Sequence, residues 1–91
     1  MALDLDLIRK DIDQVDEEIV ALLEKRMDLV SLVVAYKKES GKAVLDTGRE
    51  QAVLERVQSL VKNPDYKTTI RDSFADLMAQ SRAYQKERLD D

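Results

Sequence analysis

From residue 4 to residue 40 the chain contains neither proline nor glycine, and apolar side chains recur at Leu5, Ile8, Ile12, Val15, Ile19, Leu22, Leu29 and Val33. Steps of three and four, interrupted once, are the mark of a helix with one apolar face. Asp4 or Asp6 can cap its start, and Ser40-Gly41 supplies a stop because glycine takes the left-handed conformation at low cost. Roughly 36 residues at about 1.5 Å each make a helix about 54 Å long, whereas a compact chain of this size has a radius of gyration near ~12 Å and a diameter of about 30 Å. Such a helix overshoots any globule that its own chain can build.

A second apolar row, Val20, Leu23, Met27, Val30 and Val34, runs beside the first through the C-terminal half of this helix. That half therefore needs cover on two sides, more than the remaining chain supplies. The economical arrangement is an intertwined homodimer in which two long helices pack together and the shorter helices of each chain close the remaining faces. A parallel coiled coil is the alternative.

Two shorter helices are expected. One covers residues 48–61, with Val53, Leu54, Val57, Leu60 and Val61 facing inward, and the other covers residues 66–89, with Ile70, Phe74, Leu77 and Met78 on its stripe. Asn63-Pro64-Asp65 separates them, because a residue before proline avoids the helical region. The terminal KERLDD is expected to fray. With one proline, two glycines, 4% aromatic residues and no linker, the 91 residues read as a single all-α domain, residues 1–91, with one long helix and two shorter ones per chain.

The absence of cysteine and histidine removes thiol nucleophiles, imidazole bases and the commonest zinc ligands. Any chemistry must use carboxylates, amines, guanidiniums, hydroxyls or amides. A net charge of −4, with basic residues scattered, argues against nucleic-acid binding. MALDLDL lacks the basic start and apolar run of a secretory signal, and no apolar stretch is long enough for a membrane span, so a cytoplasmic location is expected.

The informative positions are those where the stripes break. On the long helix the slot between Leu22 and Leu29 is Arg26, and Lys37 follows Val33 by four; on the last helix the slots after Met78 are Ser81 and Gln85. Burying an unpaired charge costs several kcal/mol, so two inward cations with no acid beside them on the stripe call for an anionic partner. Arg26 and Lys37 lie within about 20° of the same helix face and about 16 Å apart along it, so two long side chains leaning together can hold a small dianion. Arg9 stands about 25 Å from Arg26 along the axis and about 100° around it, out of reach of the same ligand in the same chain. In an antiparallel dimer it enters the partner's site instead.

Plainer explanations stand beside each of these. Arg26 can pair with an acid on another helix or extend its charge to solvent. Lys37, next to Lys38, also suits a helix C-terminus. Ser81 and Gln85 can face water where a helix frays. Arg9, flanked by Lys10 and Asp11, reads by itself as surface, and Asp13, Asp16, Glu17 and Glu18 read as a solvated face to which no metal is assigned. In the connector VLDTGRE, Thr47-Gly48-Arg49-Glu50 fits a capping box, which accounts for Glu50 but not for Asp46 or Arg49.

Taken together, IRKDIDQVDEEIVALLEKRMDLV, VVAYKKESGKAVLDTGRE and the helix carrying SFADLMAQSRAYQ resemble the all-helical chorismate mutases, small dimeric enzymes that convert chorismate to prephenate on the route to phenylalanine and tyrosine. The likeness covers nearly the whole chain, and eight separated positions agree at once. It implies that Arg26 and Arg9 of the partner subunit grip the two substrate carboxylates, and that Lys37 touches a carboxylate and the ether oxygen. It further implies that Gln85 donates to that ether oxygen, that Asp46 and Glu50 bind the ring hydroxyl, that Arg49 and Ser81 support a carboxylate, and that Val33 packs on the ring. The turn between the second and third helices is shorter than is usual in the family, and Gly48 opens the second helix; neither departure touches an implied contact.

A [3,3] rearrangement needs no nucleophile, proton transfer or cofactor, only a substrate held in its reactive conformer and donors where charge develops on the breaking C–O bond. A chain without histidine or cysteine can supply that. With Gln85 rather than a protonated glutamate at the ether oxygen, activity is expected to persist at neutral pH. An isochorismate pyruvate lyase, which shares fold and pocket, and a non-catalytic helical dimerisation or regulatory module are the competing readings. No appended regulatory domain is visible, so feedback by an aromatic amino acid is not expected of this chain alone.

Overall fold

A computed structural model of the chain describes residues 2–89. The first helix, α1 (Leu5–Ser40), is uninterrupted. Asp4 caps it from an extended backbone, its Oδ1 accepting from the amides of Asp6 (3.0 Å) and Leu7 (3.3 Å), which satisfies two of the donors that a helix start leaves open. It ends at Gly41, whose φ of 71° lets its amide turn back onto the Lys37 carbonyl at 2.9 Å. The overshoot anticipated from its length is there: the chain measures 59 × 24 × 15 Å with a radius of gyration of 16.7 Å, against about 12 Å for a compact chain of this size.

The second helix, α2 (Thr47–Leu60), begins one residue before the expected start, and the expected capping box does not form. Asp46, not Thr47, is the cap: its Oδ1 accepts from the Arg49 amide at 3.0 Å. An aspartate is at least as good a cap as threonine and adds negative charge at the positive end of the helix. Glu50 is thereby released from capping. After α2 the chain turns extended at Val61, and Asn63 caps a single 3-10 turn, Pro64–Tyr66, through its Oδ1 and the Asp65 amide (3.0 Å). Tyr66 belongs to that turn, so α3 (Lys67–Leu89) starts one residue later than expected. It stays helical through the KERL part of KERLDD; the last two residues lie outside those described. Among the described residues the chain is helices and turns only, an all-α fold, and no helix is long and apolar enough to cross a membrane.

Among the described residues α1 and α2 each pack on α3 but not on each other. Polar links advance together along α1 and α3, Arg26 to Ser81, Ser31 to Tyr84 and Lys37 to Gln85, so the two helices run side by side in the same direction. The second apolar row of α1 supplies the packing from Leu23 onward: Val34 is buried and Leu23, Met27 and Val30 are half-buried, while Val20, expected in the same row, is exposed. Val57 and Met78 complete a small apolar core, with Val53, Leu54, Val61, Ile70, Phe74 and Leu77 half-buried around it. Leu60, expected inward, is exposed: it is the last residue of α2, next to the extended backbone at Val61. The first row of α1 is buried nowhere within the chain, every member from Leu5 to Val33 being exposed.

Candidate active site

The gap between α1 and α2, floored by α3, is a cavity of about 290 Å³. Each wall follows from a local feature of the sequence. α1 contributes Arg26, Leu29, Val30, Val33 and Lys37, the interrupted end of its stripe. The N-terminus of α2, fixed by the Asp46 cap, contributes Asp46, Arg49, Glu50 and Val53. α3 contributes Met78, Ser81, Arg82 and Gln85. The cavity therefore gathers Arg26, Val33, Lys37, Asp46, Arg49, Glu50, Ser81 and Gln85, which the sequence scatters from position 26 to position 85. Arg9 is not among them: it sits exposed on α1, about 25 Å along the helix axis from Arg26.

Of the five buried residues among those described, two are polar, Ser81 and Gln85, and both face this cavity. Neither is orphaned. The Ser81 hydroxyl donates to the Leu77 carbonyl (3.0 Å) and accepts from the Arg26 guanidinium (2.8 Å). Lys37 donates from Nζ to Gln85 Oε1 (2.8 Å) and to the Val44 carbonyl (2.9 Å), which ties the connector down over the α1–α3 pair. These bonds satisfy buried atoms while leaving donors over. A guanidinium has five N–H groups and an ammonium three, so Arg26 and Lys37 keep donors for a ligand, as does the Gln85 amide nitrogen, for which the described residues show no partner.

The electrostatics are lopsided. Four cationic side chains, Arg26, Lys37, Arg49 and Arg82, line the cavity against two carboxylates, Asp46 and Glu50. Among the described residues no acid lies within ion-pair distance of Arg26, Lys37 or Arg49, because Asp46 caps α2 and Glu50 pairs with Arg82. Arg26 and Lys37 are thus held by neutral oxygens, an arrangement in which their charge is left for something that enters. Such a cavity suits a small anion of more than one charge, with Leu29, Val30, Val33, Val53 and Met78 offering apolar contact to its body.

The same geometry limits the chemistry. Ser81 faces a guanidinium rather than a base, so its hydroxyl is not set up as an activated nucleophile. What remains is fixed donors in a partly shielded site, able to orient a ligand and to stabilise charge that develops on an oxygen. Sequence reasoning missed Arg82, which lies beside Ser81 but off the apolar stripe and there reads as an exposed helix cation; its distinguishing signal, the acid at position 50, is on another helix.

Residues 8–86 match the family model described as chorismate mutase type II. The chorismate mutase of Methanocaldococcus jannaschii is 33% identical over 86 residues, which cover 92% of this chain and 86% of that protein. No solved structure matches the chain significantly. The chain belongs to the family of type II chorismate mutases, and with it to the isomerases.

Proposed function

We propose that the chain acts as one catalytic domain of a cytoplasmic chorismate mutase, rearranging chorismate to prephenate for phenylalanine and tyrosine synthesis, in a homodimer with shared sites. The observation that carries the reading is the convergence of eight implied substrate contacts on one cavity with a surplus of unpaired cations. In this reading Arg26 binds one substrate carboxylate with Ser81 behind it, and the one Nζ–H of Lys37 that Val44 and Gln85 leave over is shared between a carboxylate and the ether oxygen. Gln85, already oriented by Lys37 through its oxygen, turns its amide donors to the ether oxygen. Asp46 and Glu50 each keep one carboxylate oxygen free of the bonds described above, which sets two acceptors beside the ring hydroxyl, whose single proton goes to one of them at a time. Arg49 supports a carboxylate, and Val33 packs on the ring.

Catalysis follows without cofactor or proton transfer. Holding the two arms of the substrate in contact removes much of the entropy of reaching the reactive conformer. Lys37 and Gln85 then stabilise negative charge on the oxygen whose bond to carbon is breaking.

The dimer is supported by the bare first row of α1. Covering half-exposed Leu, Ile and Val side chains contributes about 1 kcal/mol or more each, so the row from Leu5 to Leu29 is comparable to the whole ~5–15 kcal/mol by which domains are stable. A second α1 laid antiparallel along it brings Arg9 of the partner subunit towards the cavity. Decay of chorismate absorbance on adding the protein, with prephenate as the product, tests the reading; release of pyruvate and salicylate from isochorismate, with chorismate untouched, points to the lyase instead, and no turnover of either compound to a non-catalytic module.

A further inference from the structure

Arg82 has no role in the contacts set out above, yet its side chain lines the cavity and pairs with Glu50. The pair is unlike the other two ion pairs among the described residues. Arg71–Asp72 and Arg88–Glu87 each join sequence neighbours on one exposed helix face, whereas Arg82–Glu50 joins α3 to α2, with the two side chains 34% and 23% exposed. Glu50 also differs from the cavity's other carboxylate. Asp46 is tied by Oδ1 to the start of α2, where the helix end itself favours negative charge. Glu50 lies in the first turn of the same helix but has no backbone donor and no other cation at ion-pair distance among the described residues; Arg82 is its direct charge partner.

A bare carboxylate is a liability in a cavity built for an anion, because like charges a few ångströms apart in a partly shielded site repel strongly. It is an asset only if its charge is cancelled and one oxygen is left to accept. Arg82 does both: it occupies Oε1 from the α3 side, which neutralises the group and holds its second oxygen at a set place in the cavity wall. We propose that Arg82 is a positioning residue for the reaction, acting through Glu50 by cancelling its charge against the anionic substrate and fixing its orientation. This rests on the chorismate mutase reading for the substrate's identity, but the charge argument needs only a dicarboxylate ligand.

The experiment compares steady-state kinetics with chorismate for Arg82→Met, Arg82→Lys, Glu50→Gln and the Arg82→Met/Glu50→Gln pair, with thermal unfolding of each. Arg82→Met should raise KM about tenfold or more, beyond its effect on kcat, since it leaves Glu50 charged and unpaired. Arg82→Lys should keep most of the wild-type KM. Adding Glu50→Gln to Arg82→Met should bring KM back towards wild type while kcat stays at the Glu50→Gln level, a non-additive result expected only of coupled groups. A merely structural strut between α2 and α3 predicts instead that Tm falls, that KM and kcat shift without this split, and that the second substitution restores nothing; that outcome, or additive changes in KM, overturns the proposal. A wild-type protein that does not turn over chorismate overturns the functional reading alone. The same comparison is then made by calorimetry with the dicarboxylate adipate, where Arg82→Met should weaken binding about tenfold and Glu50→Gln in that background restore it; failure there overturns the role of Arg82.

Discussion

The two halves of α1 share one helix and one apolar periodicity but have opposite surroundings. From residue 2 to residue 22 every position is exposed, Ile8, Ile12, Val15 and Ile19 included. From Leu23 onward the helix lies against α3, burying Val34 and turning Arg26 and Lys37 into the cavity. A helix with a bare apolar stripe lacks its main support in water, since helices draw most of their stability from packing that stripe. The contrast separates two jobs. The C-terminal half builds a site within the chain, and the N-terminal half carries a face whose cover, in the proposed dimer, is a second copy.

Substitutions placed in the two halves should therefore fail in different ways. The largest effect is expected from Ile12→Asp in the bare half. A charge set into the proposed interface in two copies costs several kcal/mol, so the dimer should dissociate in sedimentation, helicity should fall, and turnover should vanish. A stable, active protein of unchanged size would remove the reason for assigning that half to a partner. Lys37→Ala, in the other half, should leave assembly intact but lower kcat by about 10²- to 10³-fold, the usual loss for a donor placed where charge develops. A similar fall in helicity for both variants would erase the contrast. The smallest effect is expected at Leu60, which the end of α2 leaves exposed: Leu60→Ser should change unfolding free energy by no more than about 0.5 kcal/mol, as read by urea titration.

Local chemistry made much of this legible beforehand. The limits of α1 follow from an aspartate before an apolar run and a glycine after it, and Asp4 and Gly41 take those caps. The breaks at Arg26, Lys37, Ser81 and Gln85 show in the stripes alone, because polar residues in apolar slots need no knowledge of the other helices. Features that depend on the relation between helices were not legible. Asp46 takes the cap that the local pattern assigns to Thr47, in a connector that Lys37 holds through Val44. With Asp46 as cap, Glu50 is free to reach Arg82, a pairing across 32 positions that no local pattern encodes. Which apolar row of α1 meets α3 is likewise a packing outcome, and it is the second row, not the longer first one.

In the proposed dimer the cavity is completed by an arginine that its own chain keeps about 25 Å away. Mixing Arg9→Ala chains with Arg26→Ala chains tests this most directly. Each variant alone should be nearly inactive, because every site in it lacks one guanidinium. In the mixed dimer one of the two sites has both, so random exchange of subunits should restore about a quarter of the wild-type rate. If subunits demonstrably exchange and the mixture stays as inactive as either variant alone, Arg9 does not act across the dimer.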